Sequence, residues 1–353
     1  ATSVTVFEGA RILGGVAIGV ASLLAPLYIS EISPARIRGR LVSFNQLAIV
    51  TGILLAYAIN WGLSFVGTSG WRWMFGFAAL PAILLLVGLF FVPESPRWLV
   101  ERGRREEARR VLATVEEPQR VDEVLAEIEL FAQKDRGRLI DLIGPHLRRP
   151  TMIAVVLAIL QQITGINTVL FYGSVIFEKT IFPHHSSAAL AANITLGAIN
   201  LVATIISLSI IDRVGRRKLL ILSAGAMGLC ELGLVVGFHA AVPNPVIILT
   251  SMLLCVASFA MGMGAVVWVI LAEIFPTSVR GRAMSVGTVC LWAASWLLTY
   301  TFLTLVHAIT LSGAFAVYAG LCFLTVIFTY LYVPETAGLS LEQIESFWEP
   351  KAQ

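Results

Sequence analysis

Charged side chains are the scarcest class in this sequence. Only 13% of the residues are Asp, Glu, Lys or Arg, whereas soluble domains carry about 25%. With 57% hydrophobic residues and a mean hydropathy of +0.84, the chain is predicted to lie in a lipid bilayer. Its formal net charge of +3 comes from charges gathered in a few loops between long apolar runs, so no nucleic-acid partner is expected.

The residue patterns of metal sites and of catalysis are missing as well. All four cysteines fall inside apolar runs without CxxC spacing, which indicates small buried hydrophobes rather than disulfides or metal ligands. The five histidines are scattered, and the adjacent pair at 184–185 lies in a polar loop. Neither a nucleophile, base and acid arrangement nor a phosphate-binding loop occurs. The sequence therefore predicts no enzyme activity, no metal and no cofactor.

What the chain does have is long apolar runs, nine of which match the roughly 20 residues that a helix needs to cross a bilayer. They lie at 4–27, 44–66, 73–92, 151–177, 189–211, 219–238, 246–272, 283–306 and 312–333. Loops rich in Lys and Arg alternate with loops that have few. By the positive-inside rule, the basic loops and the C-terminus are predicted to be cytoplasmic. The fold class predicted is an all-α polytopic membrane protein.

A ten-residue motif occurs twice. Glu31-Ile-Ser-Pro-Ala-Arg-Ile-Arg-Gly-Arg40 returns 242 positions later as Glu273-Ile-Phe-Pro-Thr-Ser-Val-Arg-Gly-Arg282, and 93–95 returns in 334–336. A repeat this long between apolar runs indicates a duplicated membrane protein. Three predicted spans precede the span that ends at Glu273, but none precedes its counterpart. The chain is therefore predicted to be an N-terminally truncated fragment with nine of twelve helices.

This duplication predicts four regions along the chain. They are a partial N-terminal bundle at 1–92 (helices 4–6 of the whole), cytoplasmic linker helices at 93–150, a C-terminal six-helix bundle at 151–338 and a cytoplasmic tail at 339–353. Charged and apolar residues in the linker recur at helical spacing. Solvated linker helices and a dedicated partner-binding site are both compatible with that pattern.

Uncharged polar side chains inside the spans are the candidates for a binding site, because they are costly in lipid unless they face a partner or a wet cavity. Gln161, Gln162 and Asn167 are the densest set and are interrupted by Gly165. Other spans contribute Gln46, Asn200, Trp268, Trp292 and Trp296. Amides suit adjacent hydroxyls and indole faces suit a sugar's C–H face, which predicts a pocket for a neutral polyhydroxy ligand. The alternative is that the amides only hold helices together.

Two ionisable residues lie deep in predicted spans. Arg11 needs an anionic partner, either Glu8 one turn away or an acid on helices absent from the chain. Glu231 has no assigned role and is expected to be protonated or to extend toward the membrane surface.

Charged residues also cluster at the predicted cytoplasmic ends of the spans. They are Glu31, Arg38, Glu94, Arg97, Asp212, Arg213, Arg216, Arg217, Glu273, Arg280 and Glu335. They are either solvated flanking charges or a cytoplasmic gate whose ion pairs form and separate as the protein changes conformation. Their recurrence in both halves favours the gate.

These motifs resemble those of the sugar porters of the major facilitator superfamily, which include the mammalian facilitative glucose transporters and the bacterial xylose-proton symporter. The matching segments are Arg11-x-x-Gly14-Gly15, Pro26-x-Tyr28-x-x-Glu31 to Arg38-Gly39, Pro93-Glu-Ser-Pro-Arg97, Gln161-Gln-x-x-Gly-x-Asn167, Asp212-Arg-x-Gly-Arg-Arg217, Glu273 to Arg280-Gly281 and Pro334-Glu-Thr336. The resemblance covers essentially the whole chain.

The resemblance implies the major facilitator fold and secondary active transport of a monosaccharide across the inner membrane, by alternating access and with proton symport, in a monomer. A facilitative uniporter and a transporter-like sugar sensor are the alternatives. Sugar-contacting or pocket positions would fall on Gln46, Gln161, Gln162, Asn167, Asn200 and Trp268, with Trp292 in the pocket wall. Arg11 falls where proton-coupled members place an arginine facing a first-helix aspartate.

Three differences from the family pattern stand out. The Gly-Pro hinge usual before the tenth-helix tryptophan is replaced by Gly264-Ala-Val-Val-Trp268, which leaves open how that helix bends. Leu291 replaces a polar residue, and Ile53 and Phe171 stand where the xylose symporter has a glutamine and a tyrosine. Fewer hydroxyl partners weaken the case for xylose, and the isoleucine matches the glucose facilitators.

Overall fold

The computed structural model describes residues 3–34, 37–133, 138–183, 185–239, 242–276, 279–337, 344 and 347–348. Across these ranges the secondary structure is helical, without a β-strand. The α-helices in chain order are α1 Val4–Ile32, α2 Arg38–Leu63, α3 Gly70–Phe77, α4 Ala79–Leu89, α5 Pro96–Glu101, α6 Arg105–Val115, α7 Val121–Gln133, α8 Arg148–Ile163, α9 Ile166–Thr180, α10 Ser186–Val214, α11 Arg216–His239, α12 Pro245–Met261, α13 Met263–Glu273 and α14 Arg280–Tyr332. Two short 3-10 helices lie at Ser64–Val66 and Leu139–Ile143.

The described residues contain eight helical segments that are long and apolar enough to cross a membrane. One of them, α14, has 53 residues and would extend about 80 Å, far more than the roughly 30 Å of a bilayer core. Its backbone is non-helical at Ile309 and Thr310, so α14 comprises two spans, an arm before this break and an arm after it. The nine predicted spans and the all-α membrane fold are therefore confirmed.

Three of the spanning segments consist of two helices in sequence. They are Gly70–Leu89, Arg148–Thr180 and Pro245–Glu273, in which α3 meets α4, α8 meets α9 and α12 meets α13. A helix can be interrupted at membrane depth only where other protein groups satisfy the freed backbone donors and acceptors. The last two interruptions build the candidate site.

The chain divides into two compact units. The first comprises Ala1–Gln46 and Phe77–Arg136, and its small core holds Leu99, Leu112 and Leu125 from α5, α6 and α7. The predicted linker helices are these three, and a partner-binding role for them stays a prediction. The apolar side chains of α1 and α4 are largely exposed, as befits helices that face lipid or other helices.

The second unit comprises Leu47–Gly76 and Gly137–Gln353 and holds the large apolar core. Within it, α11 packs mainly against α12 and α14, while α8 packs against α14 and α10 against α12. Gly228 and Gly237 allow this close approach, because an added Cβ would meet Phe323 at 3.0 Å and Ile248 at 2.8 Å, respectively. The four regions predicted from the sequence remain predictions.

Candidate substrate site at two broken helices

Gly165 makes the break between α8 and α9. Its φ is +84°, a conformation that residues with a side chain rarely adopt. A Cβ at this position would also lie 2.7 Å from the ring of Tyr318 and 3.0 Å from Oε1 of Glu231. Both the backbone conformation and the packing therefore require glycine, and the break places Gln162 and Asn167 on either side of it.

An amide cluster spans this break. Nδ2 of Asn167 donates to Oε1 of Gln162 at 2.6 Å and to Oγ of Ser295 at 2.9 Å, and Nε2 of Gln162 donates to Oε1 of Gln161 at 3.3 Å. We use the name amide cluster for Gln161, Gln162, Asn167 and Ser295. Gln162 is half-buried and Asn167 retains 9% exposure.

Gln161 is buried between α8 and α13. It is 1% exposed, and its Nε2 donates to the main-chain carbonyl of Met263 at 2.6 Å. In this conformation Gln161 joins α8 to α13, as expected if an amide in a span holds helices together.

Gly262 makes the second break, between α12 and α13. An added Cβ would collide with Cβ of Ser223 and would lie 2.6 Å from the carbonyl oxygen of Leu219, so α11 packs directly on the glycine. The missing proline before Trp268 thus does not abolish the bend, which lies at Gly262 instead.

Side chains from neighbouring helices satisfy the backbone groups at this second break. Oγ of Ser223 accepts from the N–H of Met263 at 3.0 Å and donates to the carbonyl of Ser258 at 2.7 Å. Oγ of Ser207 donates to the carbonyl of Met261 at 2.8 Å. Such substitution of side chains for lost helix bonds is what an interrupted helix in lipid requires.

The remaining predicted pocket residues are distributed over other helices. Asn200 is buried on α10, and Trp268 on α13 is half-buried against the core. Among the described residues neither makes a hydrogen bond to the amide cluster. Trp292 on α14 is 39% exposed. Gln46 is half-buried and belongs to the first unit, at the boundary within α2.

Sequence patterns missed the serines of the site. Ser207, Ser223 and Ser295 all lie in apolar runs, where a hydroxyl commonly bonds to its own helix. Ser209, two residues after Ser207, does this by donating to the carbonyl of Ile205 at 3.0 Å. A serine that bonds to another helix looks the same in the sequence as one that bonds to its own. Only the position of the neighbouring helix distinguishes them, and a single sequence does not reveal it.

The duplicated motif has the same contact in each unit. In the first unit, Oγ of Ser95 donates to Oε2 of Glu31 at 2.5 Å, and in the second, Oγ1 of Thr336 donates to Oε2 of Glu273 at 2.5 Å. The two repeats in the sequence therefore correspond to one interaction that occurs twice. Glu31 matches Glu273, and Ser95 matches Thr336.

Glu273 and Glu335 also contact Arg216 and Arg217 at the start of α11. Oε1 of Glu273 lies 3.2 Å from a guanidinium nitrogen of Arg216. Glu335 accepts from the backbone N–H groups of Arg216 and Arg217 at 2.9 and 3.2 Å, where a carboxylate complements the N-terminus of α11. Arg280 donates to the carbonyl of Phe275 at 3.2 Å. We call Arg216, Glu273, Glu335 and Thr336 the ionic cluster.

The other predicted gate residues are either exposed to solvent or have side chains that the structure does not describe. Glu94, Arg97 and Arg213 are exposed. The side chains of Arg38 and Asp212 lie outside the described residues.

The two ionisable residues within the spans differ in exposure. Arg11 lies on an exposed face of α1. Glu231 is 0% exposed on α11, so it does not extend toward the membrane surface, and its protonation stays a prediction.

Comparison with known proteins agrees with these features. The family model described as "Sugar (and other) transporter" matches residues 1–348. The D-xylose-proton symporter of Escherichia coli K12 is 38% identical over 97% of this chain and 72% of its own length. The major myo-inositol transporter IolT of Bacillus subtilis is 39% identical over 98% of this chain and 75% of its own length. The galactose-proton symporter of Escherichia coli K12 is 36% identical over the same shares.

Solved structures give the same answer for the fold. The proton:xylose symporter XylE bound to 6-bromo-6-deoxy-D-glucose superposes with a TM-score of 0.81 at 37% identity, covering 96% of this chain and 73% of that one. The inward-open form of XylE from E. coli gives 0.79 at 36% identity, covering 96% and 72%. The protein therefore belongs to the sugar transporter family, with the fold of the major facilitator superfamily, and is a multi-pass membrane transporter.

Proposed function

We propose that this protein carries a monosaccharide across the inner membrane by alternating access, coupled to a proton, with its C-terminus in the cytoplasm and as a monomer. The observation that supports this most directly is the position of Asn167. Its amide joins Gln162 across the α8–α9 break to Ser295 on α14 while staying partly exposed.

The chemistry of the amide cluster suits a neutral polyhydroxy ligand. Amide groups present a donor and an acceptor in one plane, and the serine hydroxyl can act as either. A sugar hydroxyl that replaced the bond between Asn167 and Ser295 would leave neither residue unpaired. Gln46, Gln161, Asn200, Trp268 and Trp292 are proposed as further pocket residues. In this conformation Gln161 also holds the second broken helix.

The ionic cluster is proposed as a part of the cytoplasmic gate. Its carboxylates hold the end of α13, the start of α11 and the segment after α14 together. Isolated exposed pairs contribute only about 0 to 1 kcal/mol, but a network that includes half-buried members can bias a two-state gate. Glu31, Arg38, Glu94, Arg97, Asp212, Arg213 and Arg280 are proposed as further members.

Proton coupling is proposed over facilitation because two of the relatives carry the name of proton symporters and because Arg11 lies within an apolar span. Arg11 is proposed to take part in coupling. The absent proline hinge no longer favours a sugar sensor, since Gly262 supplies the bend.

Uptake by proteoliposomes tests the proposal. Protein reconstituted into vesicles is expected to take up D-xylose, D-galactose or myo-inositol and to concentrate it under an inward proton gradient. Uptake that stops at equilibrium under that gradient would favour the uniporter, and uptake of none of these sugars or other pentoses and hexoses would reject sugar transport.

A matched pair of variants links uptake to the amide cluster. Asn167→Ala is expected to weaken sugar affinity about tenfold or more, because it removes both hydrogen bonds of the bridging amide. Asn193→Ala removes a buried amide on α10 outside the cluster and is expected to leave affinity near that of the parent protein. Equal effects of the two substitutions would contradict the assignment of the site.

A further inference from the structure

Glu231 is a buried carboxyl in the second unit that the transport site does not use. Its side chain is 0% exposed. One oxygen, Oε1, accepts only a weak thiol hydrogen bond from Cys255 at 3.5 Å, and the other, Oε2, is buried without a hydrogen-bond partner in the described part of the chain. A buried ionised carboxylate with so few hydrogen-bond donors would be very unfavourable, so this packing favours the neutral acid.

The groups packed around Glu231 offer no compensating positive charge within the described residues. The ionisable neighbours are Cys230 on its own helix, Cys255 on α12, and Tyr318 and Cys322 on α14. Each of these groups is neutral when protonated and negative when it has lost its proton, so none can supply a positive charge. At the α8–α9 break, Glu231 lies against Gly165, which carries no ionisable group.

One feature opposes this preference for the neutral form. Oε1 of Glu231 lies 3.0 Å from the position that a Cβ on Gly165 would occupy, and Gly165 is the N-cap of the 15-residue helix α9. The first N–H groups of a helix and its dipole favour a negative charge. Burial favours the neutral acid, and the helix end favours the carboxylate. A group under these two opposing influences can take up and release a proton.

We propose that Glu231 is a proton-binding site built into the break between α8 and α9, and that its proton is linked to sugar binding at the amide cluster. The second half of this statement rests on the proposed function, whereas the first half does not. The proton comes from and returns to water, and no other group changes its covalent state.

The linkage runs through Gly165. If Glu231 loses its proton, the carboxylate has a single thiol donor, and it gains better donors only when the first turn of α9 or water moves toward it. Asn167 is the second residue of α9, so that movement displaces the bridging amide. The sugar-binding arrangement therefore holds the proton more tightly than the rearranged one does.

The sign of the pH dependence follows from this difference. Sugar affinity is full where Glu231 is protonated and declines as the pH rises through its titration, by up to about tenfold per pH unit for one linked proton. By reciprocity, sugar binding promotes proton uptake by Glu231.

Infrared spectroscopy tests the proton site without requiring transport. The purified protein is titrated toward alkaline pH while the carbonyl stretch of protonated carboxyl groups is followed. We expect one such band to persist after exposed carboxyls have ionised, to be missing in Glu231→Gln and to remain in Glu178→Gln, which removes a half-buried carboxyl at the end of α9. A parent protein without that band overturns the proposal, and this result needs no variant.

Sugar binding tests the linkage, with D-xylose, D-galactose and myo-inositol as the probes. In the parent protein and in Glu178→Gln, affinity is expected to fall with rising pH, whereas in Glu231→Gln it should change less than about twofold over the same range. Glu231→Met, which is also uncharged, serves if the glutamine variant does not fold. A pH dependence that persists in these variants overturns the linkage. If no sugar binds but the infrared band belongs to Glu231, the proposed function fails and the proton site stands.

Discussion

The side chain of Gln161 on α8 donates a hydrogen bond of 2.6 Å to the main-chain carbonyl of Met263, the first residue of α13. Gln161 lies four residues before Gly165, and Met263 directly follows Gly262, so this bond joins the two broken helices. Its neighbour Gln162 belongs to the same amide cluster. A ligand that moves Gln162 can therefore act on both breaks.

Replacing Gln161 tests this connection. Gln161→Leu keeps the bulk but removes the side-chain hydrogen bond to the carbonyl of Met263, which should cost about 0.5–1.5 kcal/mol of stability. Thermal unfolding in detergent would measure this cost. Gln119→Leu, in an exposed turn of the linker, is expected to be nearly neutral, and equal stability of the two variants would argue against the role of Gln161.

Two serines on α10 form a matched pair for the second break. Ser207→Ala removes the donor to the carbonyl of Met261 on another helix, whereas Ser209→Ala removes a bond to the serine's own helix. We expect the first to lower stability by about 1 kcal/mol and to alter transport rate, and the second to do neither. Thermal unfolding and initial uptake rates provide both readouts. The pairing would be wrong if Ser209→Ala had the larger effect.

Gly165→Ala combines two costs at the first break. The positive φ costs about 1–2 kcal/mol for alanine, and the clash with Tyr318 adds about 1–3 kcal/mol. Gly103→Ala, at φ +73° with open space around it, carries only the first cost. Yields and unfolding temperatures of the two variants should differ accordingly, and similar values would show that the packing at Gly165 is unimportant.

The ion pair between Arg216 and Glu273 should show measurable coupling, because its side chains are only 12% and 24% exposed. A double-mutant cycle with Arg216→Gln and Glu273→Gln is expected to give about 0.5–3 kcal/mol in unfolding experiments. The exposed linker pair Arg105 and Glu129 serves as the control and should give less than about 1 kcal/mol. Equal coupling in the two pairs would remove the argument that the ionic cluster biases a gate.

In the linker, outside the membrane, the stability of the contact between α6 and α7 is expected to depend on pH. The Arg109 guanidinium donates two hydrogen bonds to Asp122 and holds the pKa of that carboxyl below its usual value. The pair therefore stabilises the contact of α6 with α7 above the ordinary pKa of Asp, about 3.9, and stops doing so as the pH falls through the lowered value.

Hydrogen exchange of the whole protein measures that effect. Asp122→Asn is expected to reduce the protection of α6 and α7 at about pH 6 and to make a smaller difference at about pH 3. Glu117→Gln, at an exposed position in the turn between these helices, should leave protection unchanged at both. A difference for Asp122→Asn that grew with acidity would contradict the assignment.

The spans could be predicted from the sequence because lipid leaves the backbone few alternatives. Only helices satisfy their own polar groups in a bilayer, so each apolar run of sufficient length becomes one. The position of the second break was not predictable in the same way. The chain has 29 glycines, and among those that the structure describes Gly262 differs in lying against Ser223, a contact set by the packing of α11.

The candidate site divides along similar lines. Gln162 and Asn167 could be expected to meet because a glycine interrupts the helix between them. That Gln161 would face another helix depended on the packing of α13 against α8, which brings the carbonyl of Met263 within reach of its amide and which residue spacing does not reveal. The same holds for Glu231, whose place beside Gly165 is fixed by the approach of α11 and is invisible to residue spacing.

A bend made by Gly262, Ser207 and Ser223 has no proline ring to set its angle, so hydrogen bonds from α10 and α11 hold the two halves of that span instead. Turnover speed would then be governed from α10 and α11, by residues that never touch the cargo. Such positions are where evolution, or an engineer, could make the carrier faster or slower without changing what it carries.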